Sequence, residues 1–340
     1  MKILGIESSC DECAAAVVED GKIILSNVVA TQIPYHAEYQ GVVPEIASRM
    51  HTEWINRVVD EALNKASLKT KDINAIAATA HPGLLGSLLV GLSFAKAFAW
   101  ARDIPFIAID HMLAHLYAPK LEFDYIDYPF LGLLVSGGHT IICRADNFDD
   151  IKVLGTSIDD AIGEAFDKLA KHYSLGYPGG EIIDRLSKNG NPAAFNFPMP
   201  KLKGEHKYDV SYSGLKTAAI NQLSKFRNRS ITEYSEADIA ASFQKAAVDI
   251  LLRSLFNAIE DTGLKTIVAG GGVAANSYLR EVLSEKKDLR IIFPSLSLCG
   301  DNAAMIAGLA YPYLQRGDRS PLNVTASAKV ESFRNIRRNK

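Results

Sequence analysis

The sequence predicts an α/β protein built from two like halves, and three observations carry that reading. Residues Lys2–Glu7, Cys13–Val18 and Lys22–Ala30 are short apolar runs parted by tight polar turns. The same triplet returns at Phe130–Ser136, Thr140–Ala145 and Ile151–Gly155. After each triplet, runs with helical spacing alternate with short β-branched runs. Recurrence of one supersecondary plan signals duplication at the level of fold. Three antiparallel strands followed by crossover units give a mixed, twisted sheet with helices on both faces.

In the first half, Pro44–Ser67 places Ile46, Met50, Trp54, Val58 and Leu63 at helical spacing. Asn74–Ala80 reads as a strand, Gly86–Arg102 as a helix and Pro105–Ile109 as a strand, and Asp110 caps a short helix through Tyr117. In the second half, helices are expected at about Asp160–Tyr173 and Gly180–Asn189, with an irregular stretch over Pro192–Tyr212. Helices near Gly214–Phe226 and Glu236–Thr262 follow. Then come a strand at Thr266–Ala269, a helix at Ala274–Glu285, a strand at Leu289–Phe293 and a helix at Asp301–Gln315. The expected division is a first lobe over 1–127, a second over 128–299, a C-terminal helix at about 300–325 returning to the first lobe, and a basic tail over 326–340. In a two-lobed plan of this kind the strand turns of both lobes are expected to face a cleft that suits a nucleotide.

Composition narrows the class. The 340 residues are 48% hydrophobic and 22% charged with a net charge of −2, which excludes a disordered chain, a collagen, a coiled coil and a generic basic coat protein. Cys10, Cys13, Cys143 and Cys299 are too few for a disulfide scaffold. The start, MKILGIESSCDE, lacks the apolar core of a signal peptide. Leu84–Ala101 is the most apolar long run, but Ser87, Ser93 and Lys96 interrupt it, so it reads as a helix buried between layers rather than a membrane span. A cytoplasmic protein without membrane contact is expected.

The strongest chemical signal is His111-Met112-Leu113-Ala114-His115. Two histidines four apart on a helix project from one face, within reach of one ion. The plainer reading is a pair of ordinary surface histidines. The peptidase pattern H-E-x-x-H needs a Glu beside the first His as base, and Met112 stands there. Two imidazoles leave an ion short of a ligand; Asp301, at the start of a late helix, is a candidate third.

Glycine-rich turns follow several strands. Ser136-Gly137-Gly138-His139-Thr140 offers backbone N–H groups that can cradle phosphate oxygens, and Gly270-Gly271-Gly272 opens a helix ahead of Asn276. Gly179-Gly180 precedes another helix. Asp160, Glu164, Asp167 and Lys168 share roughly one helix face. That pattern is ordinarily a solvated face; turned into a cleft, Asp167 would hold ribose hydroxyls. Cys10-Asp11-Glu12-Cys13 lies in a strand-to-strand turn, which suits neither a redox dithiol nor a zinc site, and Glu7, Ser8, Ser9 and Asp11 read as a polar turn facing the cleft.

Together these residues resemble the TsaD (Gcp/YgjD) family of bacterial tRNA threonylcarbamoyladenosine transferase subunits. The resemblance runs over Gly5–Asp11, Ala47-Ser48-Arg49-Met50-His51, Pro82-Gly83-Leu84, His111–His115, Ser136–Thr140 and Gly163–Lys168. It continues through Tyr177–Gly180, Ser211–Thr217, Ala269–Asn276 and Asp301–Ala304. It implies the actin/Hsp70/sugar-kinase (ASKHA) fold, two RNase H-like lobes with a nucleotide cleft between them. The implied activity transfers threonylcarbamoyl from threonylcarbamoyl-AMP, made by an upstream synthase, to the exocyclic amine of the adenine beside the anticodon in ANN-decoding tRNAs. One divalent metal, Fe(II) first and Zn(II) second, would be held by His111, His115 and Asp301. The adenylate (or ATP/ADP) would be held by Val135, Ser136, Gly137, Gly138, His139, Asp167, Gly180, Asp184 and Asn276. The implied partners are tRNA, a paralogous TsaB subunit and the ATPase TsaE. The anhydride carries its own leaving group, so no protein nucleophile is needed, and His139 is the one weak candidate for a base. The chain departs from the family pattern at Cys13, His81, Glu181 and Gly300. Two competing readings are a nucleotide-binding or ATPase-type subunit of the same fold, and a metallopeptidase, which lacks its base.

Overall fold

The computed structural model describes residues 1–227, 234–329 and 334–335. In chain order the first elements are β1 (Lys2–Glu7), β2 (Glu12–Glu19), β3 (Ile23–Thr31), α1 (Ile33–His36), α2 (Pro44–Lys65), β4 (Ala75–His81), α3 (Leu85–Arg102), β5 (Phe106–Asp110) and α4 (His111–Tyr117). The next are β6 (Phe130–Val135), β7 (Thr140–Ala145), β8 (Ile151–Thr156), α5 (Ile162–Tyr173), α6 (Gly179–Ser187), α7 (Ser213–Arg227) and α8 (Glu236–Thr262). The last are β9 (Thr266–Gly270), α9 (Ser277–Ser284), β10 (Arg290–Ile292), α10 (Leu296–Cys299), α11 (Ala303–Arg316) and β11 (Arg334–Asn335). Contacts divide the chain into one unit of residues 1–127, 147–150 and 294–333, and a second of 128–146, 151–293 and 334–340.

The first unit is a five-stranded sheet in the order β3-β2-β1-β4-β5, with β1–β2 and β2–β3 antiparallel and β1–β4 and β4–β5 parallel. Side chains alternate across a strand, and β1 shows the result. Leu4 and Ile6 join Ile55, Val58 and Val59 of α2 and Leu92 and Ala95 of α3 in one buried cluster. Gly5 points the other way, where a Cβ would meet Ala303 O at 2.4 Å and Ala307 N at 2.8 Å. Only glycine lets α11 approach the sheet this closely, and that approach seats α11 on β1.

The second unit repeats the plan. Its sheet runs β10-β9-β6-β7-β8-β11, and the first five positions match the first sheet's β5-β4-β1-β2-β3 in order and direction. β6 is buried along its whole length, as a central strand covered on both faces requires. Helix α8 starts on a Ser235–Asp238 capping box and ends at Gly263, whose φ of 68° lies in the left-handed region that favours glycine. Phe166 of α5 meets Phe243 of α8 edge to face at 5.6 Å.

Several details differ from expectation. Asn276 begins α9: its side chain accepts from Leu279 N, so the helix starts at Ser277 after a 3₁₀ turn, not at Ala274. Asn302 likewise caps α11 through Met305 N, which leaves Asp301 ahead of the helix rather than on its first turn. Helix α3 is not sealed between layers: Leu85, Leu89 and Trp100 are exposed, Trp100 at 76%. The short α1 and α10 lack a full turn of periodic apolar residues and have no readable sequence signal. No helix among the described residues is long and apolar enough to cross a membrane. Within the expected basic tail, Arg334–Asn335 pair with β8, while 330–333 and 336–340 lie outside the described residues.

Candidate functional site

In the first unit, chemistry gathers where β1 and β5 end. Asp110, the last residue of β5, caps α4: its Oδ1 accepts from Met112 N at 2.7 Å and Leu113 N at 3.1 Å. This sets the start of α4, and the four-residue spacing then puts the His111 and His115 rings 4.5 Å apart between centroids at 81°. Their Nε2 atoms are 3.2 Å apart, and Asp301 Oδ1 lies 3.4 Å from His111 Nε2 and 3.1 Å from His115 Nε2. One ligand atom from each residue therefore falls within 4.8 Å of the others. The structure brings together all three residues picked as metal ligands, although Asp301 is far from the histidines in sequence.

The electrostatics of this cluster are those of buried opposite charges. Burial resists charging of His111, but the carboxylates of Asp301 and Glu7 outweigh it and hold its pKa well above the ordinary histidine value. Burial also pushes Asp301 upward, yet the two imidazoles hold its carboxyl far below the usual carboxylate range. Burial and the neighbouring His111 charge lower the His115 pKa. The arrangement thus concentrates one carboxylate and two inward imidazole nitrogens in a nearly dry site, with His111 8% and His115 1% exposed. Two imidazoles and a carboxylate suit iron and zinc equally, and His115 Nδ1 has no hydrogen-bond partner among the described residues. The donor set fits a divalent cation.

Sequence reasoning missed Glu7 as part of this cluster. It closes β1, as the expected strand Lys2–Glu7 has it, but it is fully buried and faces His111 Nδ1 at 3.0 Å. The usable signal was a carboxylate closing an otherwise apolar strand. Ser8, expected in the same polar turn, is buried and donates to Ser87 O. Of the departures from the family pattern, His81 places Nε2 3.4 Å from Asp110 Oδ2, beside the α4 cap, and Cys13 is buried in β2. Glu181 lies in the first turn of α6, where a negative charge is favourable, and a Cβ on Gly300 would meet open space.

In the second unit the candidate residues fall into three connected groups. The β6–β7 turn is closed by Ser136 N donating to His139 O at 2.8 Å and His139 N donating to Ser136 Oγ at 3.1 Å. Gly271, with φ of 92°, crosses beside Val135, whose O would lie 2.4 Å from a Cβ there. Gly163 packs equally closely on Ser136 O and Gly137. By contrast, Gly137, Gly138 and Gly180 have nothing within 4 Å of a would-be Cβ and no positive φ. Neither packing nor backbone conformation calls for glycine at these three, so the open backbone there is available to a ligand.

The second group is Asp167 with the start of α6, where Gly179 N donates to Asp167 Oδ1 at 2.7 Å. The expected single acidic face divides here. Lys168 pairs with Asp160 and Glu164, whereas Asp167 turns to α6. The third group is Asp184 with Asn276 and Ser277: Asp184 Oδ1 accepts from Ser277 Oγ at 2.7 Å and from Asn276 Nδ2 at 3.2 Å. Asn276 also donates to Gln244 Oε1 at 2.9 Å. This ties the Gly270–Gly272 loop to α6 and α8.

The two matching sheets define an ASKHA-type protein, and solved structures of that type agree. The chain resembles component A of (R)-2-hydroxyglutaryl-CoA dehydratase from Acidaminococcus fermentans (TM-score 0.57, 16% identity, 93% of this chain and 99% of that one). It also resembles full-length HypF in its phosphate- and nucleotide-bound form (TM-score 0.60, 15% identity, 92% of this chain and 46% of that one). These likenesses concern fold alone. The chain belongs to the TsaD family, tRNA N6-adenosine threonylcarbamoyltransferase, whose profile matches residues 23–308, and it is a transferase. Proteins of that name from Treponema denticola and Treponema pallidum are 69% and 54% identical over 334 residues, covering 98% of this chain and 98% and 94% of their own lengths.

Proposed function

We propose that this transferase moves a threonylcarbamoyl group from threonylcarbamoyl-AMP to the exocyclic N6 amine of the adenine beside the anticodon in ANN-decoding tRNAs. The observation that carries the reading is the His111–His115–Asp301 donor set, with both imidazoles buried, in a chain of this family. In the step itself the amine nitrogen bonds to the carbamoyl carbon, the bond from that carbon to the phosphate oxygen breaks, AMP leaves with the electron pair, and one N6 proton is released. The leaving group is already good, so the protein's task is chiefly to orient the amine against the carbonyl.

Val135, Ser136, Gly137, Gly138 and His139 would present backbone N–H groups to the adenylate phosphate, with Gly180 at a helix start nearby in sequence to Asp184. Asp167 would accept from ribose hydroxyls, and Asp184 and Asn276 would hold the loop at Gly270–Gly272 in place. His111, His115 and Asp301 would hold one divalent cation, Fe(II) or Zn(II), which supplies Lewis-acid stabilisation of developing charge on substrate oxygen. Supporting the transferase over a peptidase, Met112 is buried at 1% exposure in the position a zinc-peptidase base would need. The enzyme would act in the cytoplasm with tRNA, a TsaB-type paralogue, a TsaE-type ATPase and an upstream synthase.

The test combines the purified protein and its partner subunits with unmodified ANN-decoding tRNA and labelled threonylcarbamoyl-AMP, with nucleosides read by mass spectrometry. Threonylcarbamoyladenosine that depends on this chain and is lost in His111→Ala is the expected result. Intact adenylate and no product would overturn the reading and favour a nucleotide-binding or ATPase-type subunit.

A further inference from the structure

The two histidines of the candidate metal centre are not equivalent on their outer sides. His111 Nδ1 faces Glu7 Oε2 at 3.0 Å, while His115 Nδ1 has no hydrogen-bond partner among the described residues. Glu7 is itself held at both oxygens. Oε1 accepts from Ser9 N at 2.5 Å, and Oε2 accepts from Thr79 Oγ1 at 2.6 Å. β1 supplies Glu7, the following turn supplies Ser9 and β4 supplies Thr79, so the carboxylate is fixed by two neighbouring strands rather than by a mobile loop. All three residues are buried, Glu7 at 0%, Thr79 at 1% and Ser9 at 2% exposure.

An ionised carboxylate only accepts. A lone pair on His111 Nδ1 would therefore face Oε2 with no proton between them in a dry site. The Ser9 hydroxyl is the alternative donor, but it lies farther away, at 3.3 Å. A proton on Nδ1 satisfies the contact and leaves the Nε2 lone pair directed toward His115 and Asp301. We propose that Glu7 is a positioning residue that fixes His111 in the tautomer protonated on Nδ1, so that Nε2 is presented to a divalent cation shared with His115 and Asp301. A carboxylate behind a ligating imidazole fixes its ring and raises its basicity, and losing such a partner typically weakens metal affinity about 10–100-fold. Glutamine keeps one acceptor oxygen where the carboxylate has two, so it cannot serve Ser9 N, Thr79 and His111 as the carboxylate does.

This inference rests on the metal reading above, and the experiment separates the two. Full-length metal-free protein, Glu7→Gln and Glu7→Ala are titrated with Co(II), recording affinity and the visible absorption bands, alongside far-UV circular dichroism of the metal-free proteins. The expected result is a dissociation constant about 10–100-fold higher in both variants with displaced Co(II) bands and unchanged circular dichroism. Wild-type protein that binds no Co(II) overturns the metal reading and the inference with it. Wild-type binding with variants of equal affinity and spectrum overturns the inference alone. If the variants do not fold, nitrogen NMR of zinc-loaded wild-type protein decides: the proton on His111 Nδ1 supports the inference, and the proton on Nε2 overturns it.

Discussion

His111 Nε2 and His115 Nε2 stand 3.2 Å apart with Asp301 Oδ1 within 3.4 Å of each. At that separation two nitrogen lone pairs repel unless a proton or a cation lies between them. The carboxylates of Asp301 and Glu7 favour a proton on His111, raising its pKa against the cost of burial. A divalent cation answers the same demand with more charge.

Metal should therefore stabilise the folded chain. At a free metal concentration 100 times its dissociation constant, the gain is about 2.7 kcal/mol, or several degrees in Tm. Calorimetry with and without a chelator measures it. His111→Ala should show the same Tm in both conditions, and a wild-type Tm indifferent to metal would count against the donor set.

Gly5→Ala should destabilise the first unit. The new Cβ would meet backbone atoms of α11 at 2.4 and 2.8 Å, which side-chain rotation cannot relieve. Overpacking of this kind costs about 1–3 kcal/mol. The urea midpoint should fall accordingly, and Co(II) affinity should fall with it, because Ala303 lies two residues from Asp301. An unchanged midpoint would contradict the close approach of α11 to β1.

Gly137→Ala should behave in the opposite way. A Cβ there meets nothing within 4 Å, and the backbone has no positive φ, so stability should stay within about 0.5 kcal/mol of wild type. Calorimetric titration with ADP should nonetheless show weaker binding if the turn lies against phosphate. Equal ADP affinity would remove this turn from the nucleotide reading.

Asp159 should make stability depend on pH. Burial opposes its ionisation, but donors from Ser211, Tyr212 and Ser213 outweigh burial and lower its pKa. A depressed folded pKa gives stability that is present above the unfolded value, near 3.9, and lost as pH falls through the folded one. Asp159→Asn should cost about 1 kcal/mol at pH 7, as loss of a helix cap does, with solvent screening at this exposed site reducing the figure. Denaturation at pH 7 and pH 3 checks that the difference shrinks on acidification.

The sequence made the duplicated sheets legible because short apolar runs and tight turns recur in the same order, and the helix expected near Glu236–Thr262 coincides with α8. Helix starts at Ser277 and Ala303 were less so. At both, an asparagine caps one residue ahead through its own side chain, while the preceding residues are equally compatible with helix. In the candidate site, the histidine pair announced itself by local spacing, and Asp301 was first a candidate for the missing third ligand and then the one the family resemblance implied. Glu7 was harder to place: a carboxylate closing an apolar strand marks it, but its facing His111 depends on strand pairing and on α4 arriving at the end of β1.

His115 and Asp301 are 186 residues apart in the chain. Synthesis at about 5–20 residues per second separates their appearance by roughly 10–40 s. Throughout that interval a nascent chain has both imidazoles but no Asp301 carboxylate, and β1 has no α11 to cover its Gly5 face. Ion capture by the full triad is thus a late event in the life of the molecule. It falls after residues 151–293 of the second unit have been synthesised, and a chain truncated before residue 301 is born without it.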